Sequence, residues 1–142
     1  MEILIGYEEG KEAIANSVKE VLEGTHKVEL RPIRKANLVE DIKAFGEEVL
    51  SKDVEERRGI YIDDYAYRGA MILNKMHLMI CAAVYDEHSA KMTIGHNSTR
   101  IISVGDKVVG EELLKSIASY YITHKYDAGR HQVRIDMLNK LC

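Results

Sequence analysis

The length, composition and charge of the chain indicate one globular domain over residues 1–142. Its hydrophobic and charged fractions, 46% and 30%, are typical of such domains, and the chain is long enough to bury a substantial core. The formal net charge of −3 excludes a general attraction to nucleic acids or to anionic membranes. A site for an anionic ligand must therefore be a local concentration of Arg, Lys and His.

The first half of the chain alternates short apolar runs with amphipathic segments. Strands are predicted at residues 2–6, 27–30 and 59–62, and helices at residues 9–23 and 38–49. We interpret the basic segment 31–35, which contains the only proline, as a loop. The densely charged segment 51–58 is predicted to be exposed.

The second half continues the alternation. Strands are predicted at residues 79–84 and 100–105, with helices at 70–75 and 110–121 and a weakly helical segment at 86–92. The strands are continuously apolar instead of alternating between apolar and polar residues. This pattern is typical of a parallel sheet covered by helices on both faces. The fold class is therefore predicted to be α/β.

The two cysteines and the start of the chain suggest a reducing compartment. Cys81 lies in an apolar run, where it is expected to pack as a small core side chain, and Cys142 is the last residue, so no disulfide is expected. No signal pattern precedes the first strand, and no apolar run approaches membrane-spanning length. We expect a cytoplasmic protein with no membrane partner.

Polar residues follow the ends of the predicted strands. Ligands of parallel sheets bind beyond the carboxyl ends of the strands, so one rim is expected to contain residues 7–9, 31–35, 63–68 and 86–88. The first loop has neither the spacing nor the third glycine of a dinucleotide fingerprint, and its two glutamates would repel a pyrophosphate. This disfavours a nicotinamide or flavin cofactor.

Asp63 and Asp64 directly follow the third strand. Adjacent carboxylates at a strand end can provide a general base, because like charge and partial burial raise one pKa. In the structural alternative, Asp64 caps the next helix and Asp63 faces water. The sequence leaves both interpretations open.

His96 and Asn97 precede the fifth strand in a Gly-His-Asn segment. An imidazole beside an amide can move a proton on and off a sugar hydroxyl, whereas a histidine in such a turn is more often structural. The other histidines share no spacing with His96, so no metal site is expected. A serine hydrolase is unsupported because the chain has no Gly-x-Ser-x-Gly segment.

A closing helix is predicted from Gly129, because Val133, Met137 and Leu141 recur every four residues. Arg130 and Arg134 are also four residues apart and are expected to share one face of this helix.

His131 lies beside these two arginines, near a helix N-terminus that favours anions. Two guanidiniums and an imidazole can bind a phosphate there. In the alternative, the same residues form a solvated basic face paired with Asp127 and Asp136.

Three segments, residues 95–97, 104–110 and 126–134, occur together in an order that resembles the type B ribose-5-phosphate isomerase family and its galactose-6-phosphate isomerase branch. Residues 86–93 and 134–142 resemble the A subunits of that branch. The resemblance is strong from Gly59 to Cys142 and weak from Gly24 to Arg58. It implies a Rossmann-like three-layer sandwich with a five-stranded parallel sheet and dimers whose active sites form between subunits. The implied reaction interconverts an aldose phosphate and a ketose phosphate through an enediolate, without a metal or an organic cofactor.

The resemblance also implies roles for individual residues. His96 matches the family's ring-opening histidine, and Asn97 matches the neighbouring substrate contact. Arg130 and Arg134 match the phosphate-binding arginines, and His131 lies between them as in the family. These roles agree with the interpretation of the closing segment as an anion site.

The chain departs from the family at the third strand. Asp63 replaces the cysteine base of catalytic members, and residues 64–68 replace a Gly-Thr-Gly-x-Gly loop whose N–H groups stabilise the enediolate oxygen. Glu8 and Glu9 replace an Asp-His pair in the first loop. The chain thus keeps one half of a shared site and lacks the other.

We therefore hypothesise a subunit of a heteromeric isomerase that converts galactose 6-phosphate to tagatose 6-phosphate, with the base supplied by a homologous cysteine-containing partner. A homodimer is the other assembly considered. One alternative function is a self-sufficient isomerase in which Asp63 or Asp64 is the base and Arg68 stabilises charge. Another is a non-catalytic phosphosugar-binding or regulatory protein.

Overall fold

Five parallel strands form one sheet in the order β2-β1-β3-β5-β4. The computed structural model describes all 142 residues. The strands are β1 (Glu2–Glu8), β2 (Lys27–Ile33), β3 (Arg57–Asp63), β4 (Cys81–Ala83) and β5 (Ile101–Gly105). The helices are α1 (Glu12–Leu22), α2 (Leu38–Leu50), α3 (Tyr67–Leu73), α4 (Glu87–Asn97), α5 (Glu111–Thr123) and α6 (Gln132–Asn139).

Two apolar cores, one on each face of the sheet, explain why the strands are continuously apolar. In β1, Ile3 and Ile5 belong to one core and Leu4 belongs to the other. Successive side chains of a strand point to opposite faces, so a strand covered on both faces needs apolar residues at every position. Helices α1, α4 and α5 pack on one face, and α2 and α3 pack on the other. The predicted three-layer α/β sandwich is confirmed, and no helix is both long and apolar enough to span a bilayer.

The prediction of a loop at residues 31–35 is wrong for its first three residues. β2 continues to Ile33, and Pro32 pairs with Tyr7 in the register of the sheet. β2 is an edge strand, where a proline is tolerated because one side of the strand has no neighbour to bond. Arg31 extends from this edge and donates hydrogen bonds to the carboxylates of Glu29 and Glu48.

The charged segment before β3 was predicted to be exposed, and this is wrong for Arg58. Its side chain is buried, and its guanidinium donates to the backbone oxygens of Tyr121 and His124 at 2.8 and 2.7 Å. These carbonyls lie at the end of α5, where the helix leaves acceptors unpaired. Arg58 therefore ties β3 to the C-terminus of a distant helix.

Helix α4 is longer than the sequence indicated. The side chain of Asp86 caps its start by accepting from the backbone N–H of Ser89 at 2.7 Å. The helix then continues to Asn97 and ends at Ser98, whose φ of 51° is left-handed. His96 and Asn97 thus lie in the last turn of a helix and not in a turn before β5.

The closing helix exists, but the apolar residues whose spacing predicted it do not form its buried face. Val133, Met137 and Leu141 are 65%, 64% and 62% exposed, whereas Ile135 is 5% exposed. A 3-10 turn at Gly129–His131 precedes α6, so Arg130 lies in that turn and Arg134 in the helix. The four-residue period predicted the helix correctly, but the apolar side chains that define it face outward.

Candidate active site

The aromatic rings of His96 and His131 stack on each other at the end of α4. Their centroids are 4.3 Å apart and their planes differ by 14°. The backbone N–H of Asp127 donates to the carbonyl of Gly95 at 2.9 Å, which fixes the segment before α6 against α4. The structure thus brings together two of the predicted site residues from segments 35 positions apart in the sequence.

His131 is only 9% exposed, and its Nδ1 atom is buried without a hydrogen-bond partner. Burial lowers the pKa of this imidazole, and the nearby charges of His96, Arg130 and Arg134 act in the same direction. A neutral imidazole with an unpaired nitrogen can still accept or donate one hydrogen bond, according to its tautomer. His131 is therefore suited to support His96 or to contact a ligand.

Arg130 and Arg134 are exposed, and no carboxylate lies within 4 Å of either guanidinium. The two acidic residues considered as their partners make other contacts. The carboxylate of Asp136 accepts from the side chain of Gln132 at 2.8 Å, and the backbone N–H of Asp127 donates to the carbonyl of Gly95 in α4. Two unpaired guanidiniums beside an imidazole can bind an anion bidentately.

A shallow cavity of about 280 Å³ adjoins His96 and Asn97. Asn97 is exposed, and its amide lies 3.4 Å from the hydroxyl of Thr93 on the preceding turn of α4. The cavity lies between β4 and α4 and is lined by Ala82, Ala83, Val84, Ser89, Met92, Thr93, His96 and Asn97. His96 and Asn97 are thus accessible to a small ligand.

A second and larger cavity, about 510 Å³, lies at the carboxyl ends of β1 and β3. We call it the carboxyl-end cavity. Its lining residues are Glu8, Glu9, Gly10, Lys11, Lys35, Leu38, Asp64, Arg68 and Lys107. None of the five predicted ring-opening and phosphate-binding residues lines it. The predicted site residues therefore fall into two separate places within one chain.

Asp63 is fully buried and is bound by the backbone that starts α3. Its carboxylate accepts from the N–H of Ala66 at 2.5 Å and from the N–H of Gly69 at 3.0 Å. Burial raises the pKa of Asp63, and these two hydrogen bonds act against that shift. It does not line the carboxyl-end cavity.

Asp64 does line that cavity, where its carboxylate lies 2.7 Å from Lys11 and 3.4 Å from Lys107. The structural alternative is wrong for both residues, because Asp63 is buried and accepts from the start of α3 instead of facing water, and Asp64 lies at the cavity instead of capping the helix.

Glu8 is a buried carboxylate that lines this cavity. The sequence predicted only that residues 7–9 lie on the rim of the sheet and gave Glu8 no role of its own. It accepts from the hydroxyl of Tyr61 at 2.9 Å and lies 3.3 Å from Arg68. Burial raises the pKa of Glu8, although the hydrogen bond from Tyr61 opposes the shift. Residues 86–88, also predicted on the rim, do not line the cavity.

Lys11 and Lys107 are cavity residues that the sequence analysis missed. Lys107 follows the carboxyl end of β5, so the rule that placed the other rim residues would have found it if applied to that strand. Lys11 lies one residue beyond the first loop and gave no signal of its own. No cluster of three or more His, Cys, Asp or Glu side chains is placed to hold a metal ion.

Comparison with known proteins gives consistent results along the chain. A family model described as Ribose/Galactose Isomerase matches residues 3–138. The galactose-6-phosphate isomerase subunit LacA of Lactococcus lactis is 52% identical over 93 residues, which cover 66% of this chain and 65% of that protein, just under two thirds. LacA of Streptococcus mutans is 40% identical over 144 aligned positions that cover all of both chains.

Solved structures of ribose-5-phosphate isomerase B have the same fold. The Mycoplasma genitalium enzyme, solved with bound ribulose-5-phosphate, has a TM-score of 0.88 at 19% identity and covers 98% of this chain and 94% of its own. The Thermotoga maritima protein has a TM-score of 0.87 at 21% identity, with coverages of 99% and 98%. At these identities the likeness concerns the fold alone.

Proposed function

Because the chain belongs to the ribose/galactose isomerase family, we propose that it is one subunit of a heteromeric isomerase that converts galactose 6-phosphate to tagatose 6-phosphate. The relatives named LacA, at 40% and 52% identity, support this substrate and a role in lactose catabolism. The cytoplasm is the expected location, since both cysteines are free.

The observation that carries the proposal is the distribution of the site residues in the fold. His96 and His131 are stacked, and the unpaired Arg130 and Arg134 lie on the same segment as His131. None of them lines the carboxyl-end cavity, where Asp64 lies. One chain therefore presents half of a site, and a second chain must face it to complete the other half.

In this proposal Arg130 and Arg134 bind the sugar phosphate through charge-assisted hydrogen bonds, and His131 completes the phosphate-binding group. His96 moves a proton between the ring oxygen and the anomeric hydroxyl when the pyranose opens, and Asn97 orients a neighbouring hydroxyl. Both side chains line an open cavity, which supports access of the sugar.

The base that moves the proton between the two sugar carbons is assigned to the partner subunit. Asp63 is buried and already accepts two backbone hydrogen bonds. The pKa of Asp64 is lowered, chiefly by the hydrogen bond from Lys11, which makes Asp64 a weak base. A homologous subunit with a cysteine at the position of Asp63 would supply the thiolate.

The exposed face of α6 is a suitable surface for that partner. Val133, Met137 and Leu141 are each more than 60% exposed on the segment that carries Arg134. Apolar side chains clustered beside a functional group are typical of protein interfaces. A partner that covered them would lie next to the phosphate-binding residues, and a homodimer of this chain would use the same face.

Turnover assays with galactose 6-phosphate and ribose 5-phosphate test the proposal. The chain is assayed alone and then with a homologous cysteine-containing subunit encoded in the same genome. We expect turnover of galactose 6-phosphate only in the mixture, and loss of that turnover when His96→Ala is used. Activity of the chain alone that Asp63→Asn abolishes would instead assign the base to this chain. If neither the chain alone nor the mixture shows turnover but the phosphosugar still binds, the protein would instead be regulatory.

A further inference from the structure

The carboxyl-end cavity is lined by four cations and by the carboxylates of Glu8, Glu9 and Asp64, although it contains no residue of the predicted phosphate site. Four of its nine lining residues are Lys11, Lys35, Arg68 and Lys107, and only Leu38 is apolar. Cations that converge in a concave site at the carboxyl ends of parallel strands are suited to bind an anionic ligand. The cavity therefore has the general character of an anion site.

The position that an anion would take is held by Asp64. One oxygen of its carboxylate lies 2.7 Å from Nζ of Lys11, and the other lies 3.4 Å from Nζ of Lys107 and 3.8 Å from Nη2 of Arg68. The side chain of Lys11 is only 9% exposed, so this ammonium group is directed at Asp64 and not at bulk water. The lowered pKa of Asp64, caused first by Lys11, keeps the carboxylate ionised at neutral pH.

The backbone around Asp64 fixes it in this position. Its carbonyl accepts from the N–H of Lys107 at 3.0 Å, and the carbonyl of Asp63 accepts from the N–H of Asp106 at 3.1 Å. Gly105 allows the close approach, because a Cβ there would lie 2.6 Å from the carbonyl oxygen of Asp64. The loop after β3 is therefore packed tightly on the loop after β5, which holds the backbone of Asp64 at the edge of the cavity.

We propose that Asp64 is an internal anion that occupies the cationic centre of the carboxyl-end cavity and excludes phosphate monoesters from it. A phosphate dianion that entered would meet the carboxylate at a distance where like charges repel strongly. It would also have to compete with Asp64 for Lys11, Lys107 and Arg68. Asp64 thus determines that this cavity of the chain does not take a phosphorylated sugar, whichever reaction the protein catalyses.

Binding of inorganic phosphate to the full-length chain tests this inference. The parent protein carries Arg130→Ala and Arg134→Ala, which remove the other candidate anion site. Asp64→Asn is compared with Asp106→Asn in that background. Both variants remove a carboxylate paired with Lys11, since Asp106 lies 2.6 Å from the same Nζ, but only Asp64 lines the cavity. The affinity is measured by isothermal titration calorimetry at constant ionic strength.

We expect Asp64→Asn to bind phosphate at least about tenfold more tightly than the parent, because one repulsive charge is gone and Lys107 loses its carboxylate partner, while Lys11 and Arg68 keep Asp106 and Glu8. The melting temperature of this variant should rise with phosphate concentration, and Asp106→Asn should behave like the parent. Lys107→Ala added to Asp64→Asn should reverse the gain.

The inference is overturned if the parent binds phosphate as tightly as Asp64→Asn, or if Asp106→Asn gains equally. It is also overturned if a folded Asp64→Asn protein shows no gain. If Asp64→Asn does not fold, Asp64→Ser serves as the second neutral variant. These outcomes do not depend on turnover, so they are distinct from failure of the proposed isomerase function.

Discussion

The imidazole of His131 lies on the imidazole of His96, with ring centroids 4.3 Å apart. This contact joins the end of α4 to the turn before α6, and it connects the residue proposed to open the sugar ring with the residues proposed to bind its phosphate. Two imidazoles at this distance do not both carry a charge without strong repulsion. The charge of His96 therefore helps to lower the pKa of His131.

The stability of the protein should depend on pH through His131. Its pKa is lowered from 6.5, first by burial and then by His96 and Arg130. As the pH falls through 6.5, the unfolded chain binds more protons than the folded chain. The contribution of the neutral His131 imidazole to stability is therefore complete above that pH and is lost below it. The free energy of unfolding, measured in urea, should change less between pH 7.5 and pH 5.5 for His131→Phe than for the wild type. An equal difference would mean that His131 does not titrate as inferred.

Replacing Arg134 by Ala should weaken substrate binding without changing stability. The guanidinium is exposed and has no acidic partner, so folding loses little when it is removed. A charge-assisted hydrogen bond to phosphate contributes about 1.5–3 kcal/mol, which corresponds to a KM roughly 10 to 100 times higher for galactose 6-phosphate in the assembled enzyme. Lys140→Ala, which removes one positive charge from the end of the same helix, is the control. Equal effects of the two variants would argue against a specific phosphate contact.

Asp63→Asn should lower stability by about 1–3 kcal/mol, because the side-chain amide has one acceptor oxygen where the carboxylate has two. One of the N–H groups of Ala66 and Gly69 would then lose its partner in the core. Urea unfolding measures the change, and Asp136→Asn, on the exposed side of α6, should have almost no effect. A large fall in kcat without a loss of stability would instead identify Asp63 as a base.

Gly69→Ala should be destabilising because a Cβ at this position would lie 2.2 Å from Cδ1 of Tyr61. The ring of Tyr61 is buried and its hydroxyl is bonded to Glu8, so it cannot move away easily. Overpacking of this kind costs about 1–3 kcal/mol. Gly24→Ala, at a position with no atom within 4 Å, provides the matched control for urea unfolding. Identical unfolding midpoints would show that the core around Tyr61 adapts.

Met137→Glu should prevent assembly with the partner subunit, because it puts a charge into the exposed apolar face of α6. Val39→Glu, on α2, is the control: Val39 is 55% exposed and Met137 is 64% exposed, and α2 packs on the opposite face of the sheet from α4, the helix that α6 contacts. Light scattering of each variant mixed with the partner measures the mass of the complex. A complex of wild-type mass formed by Met137→Glu would place the interface elsewhere.

The sequence alone determined the fold class and grouped the residues that are proposed to bind the phosphate. Continuously apolar strands such as residues 3–5 predict a sheet buried on both faces, because that requirement acts on each strand separately. Arg130, His131 and Arg134 could be grouped from the sequence because they lie close together along the chain, between positions 130 and 134. The period of Val133 and Met137 predicted a helix for the same local reason, but it could not tell which face a neighbour covers.

The tertiary structure alone decided which charged groups are buried and what they bind. Arg58 looked exposed because its neighbours in sequence are charged, whereas its acceptors lie at Tyr121 and His124, more than 60 residues away. The partners of Asp64 are similarly remote, since Lys11 and Lys107 follow two other strands. Secondary structure follows from local preferences of the backbone, but the environment of a charge depends on which distant segments the packed sheet brings beside it.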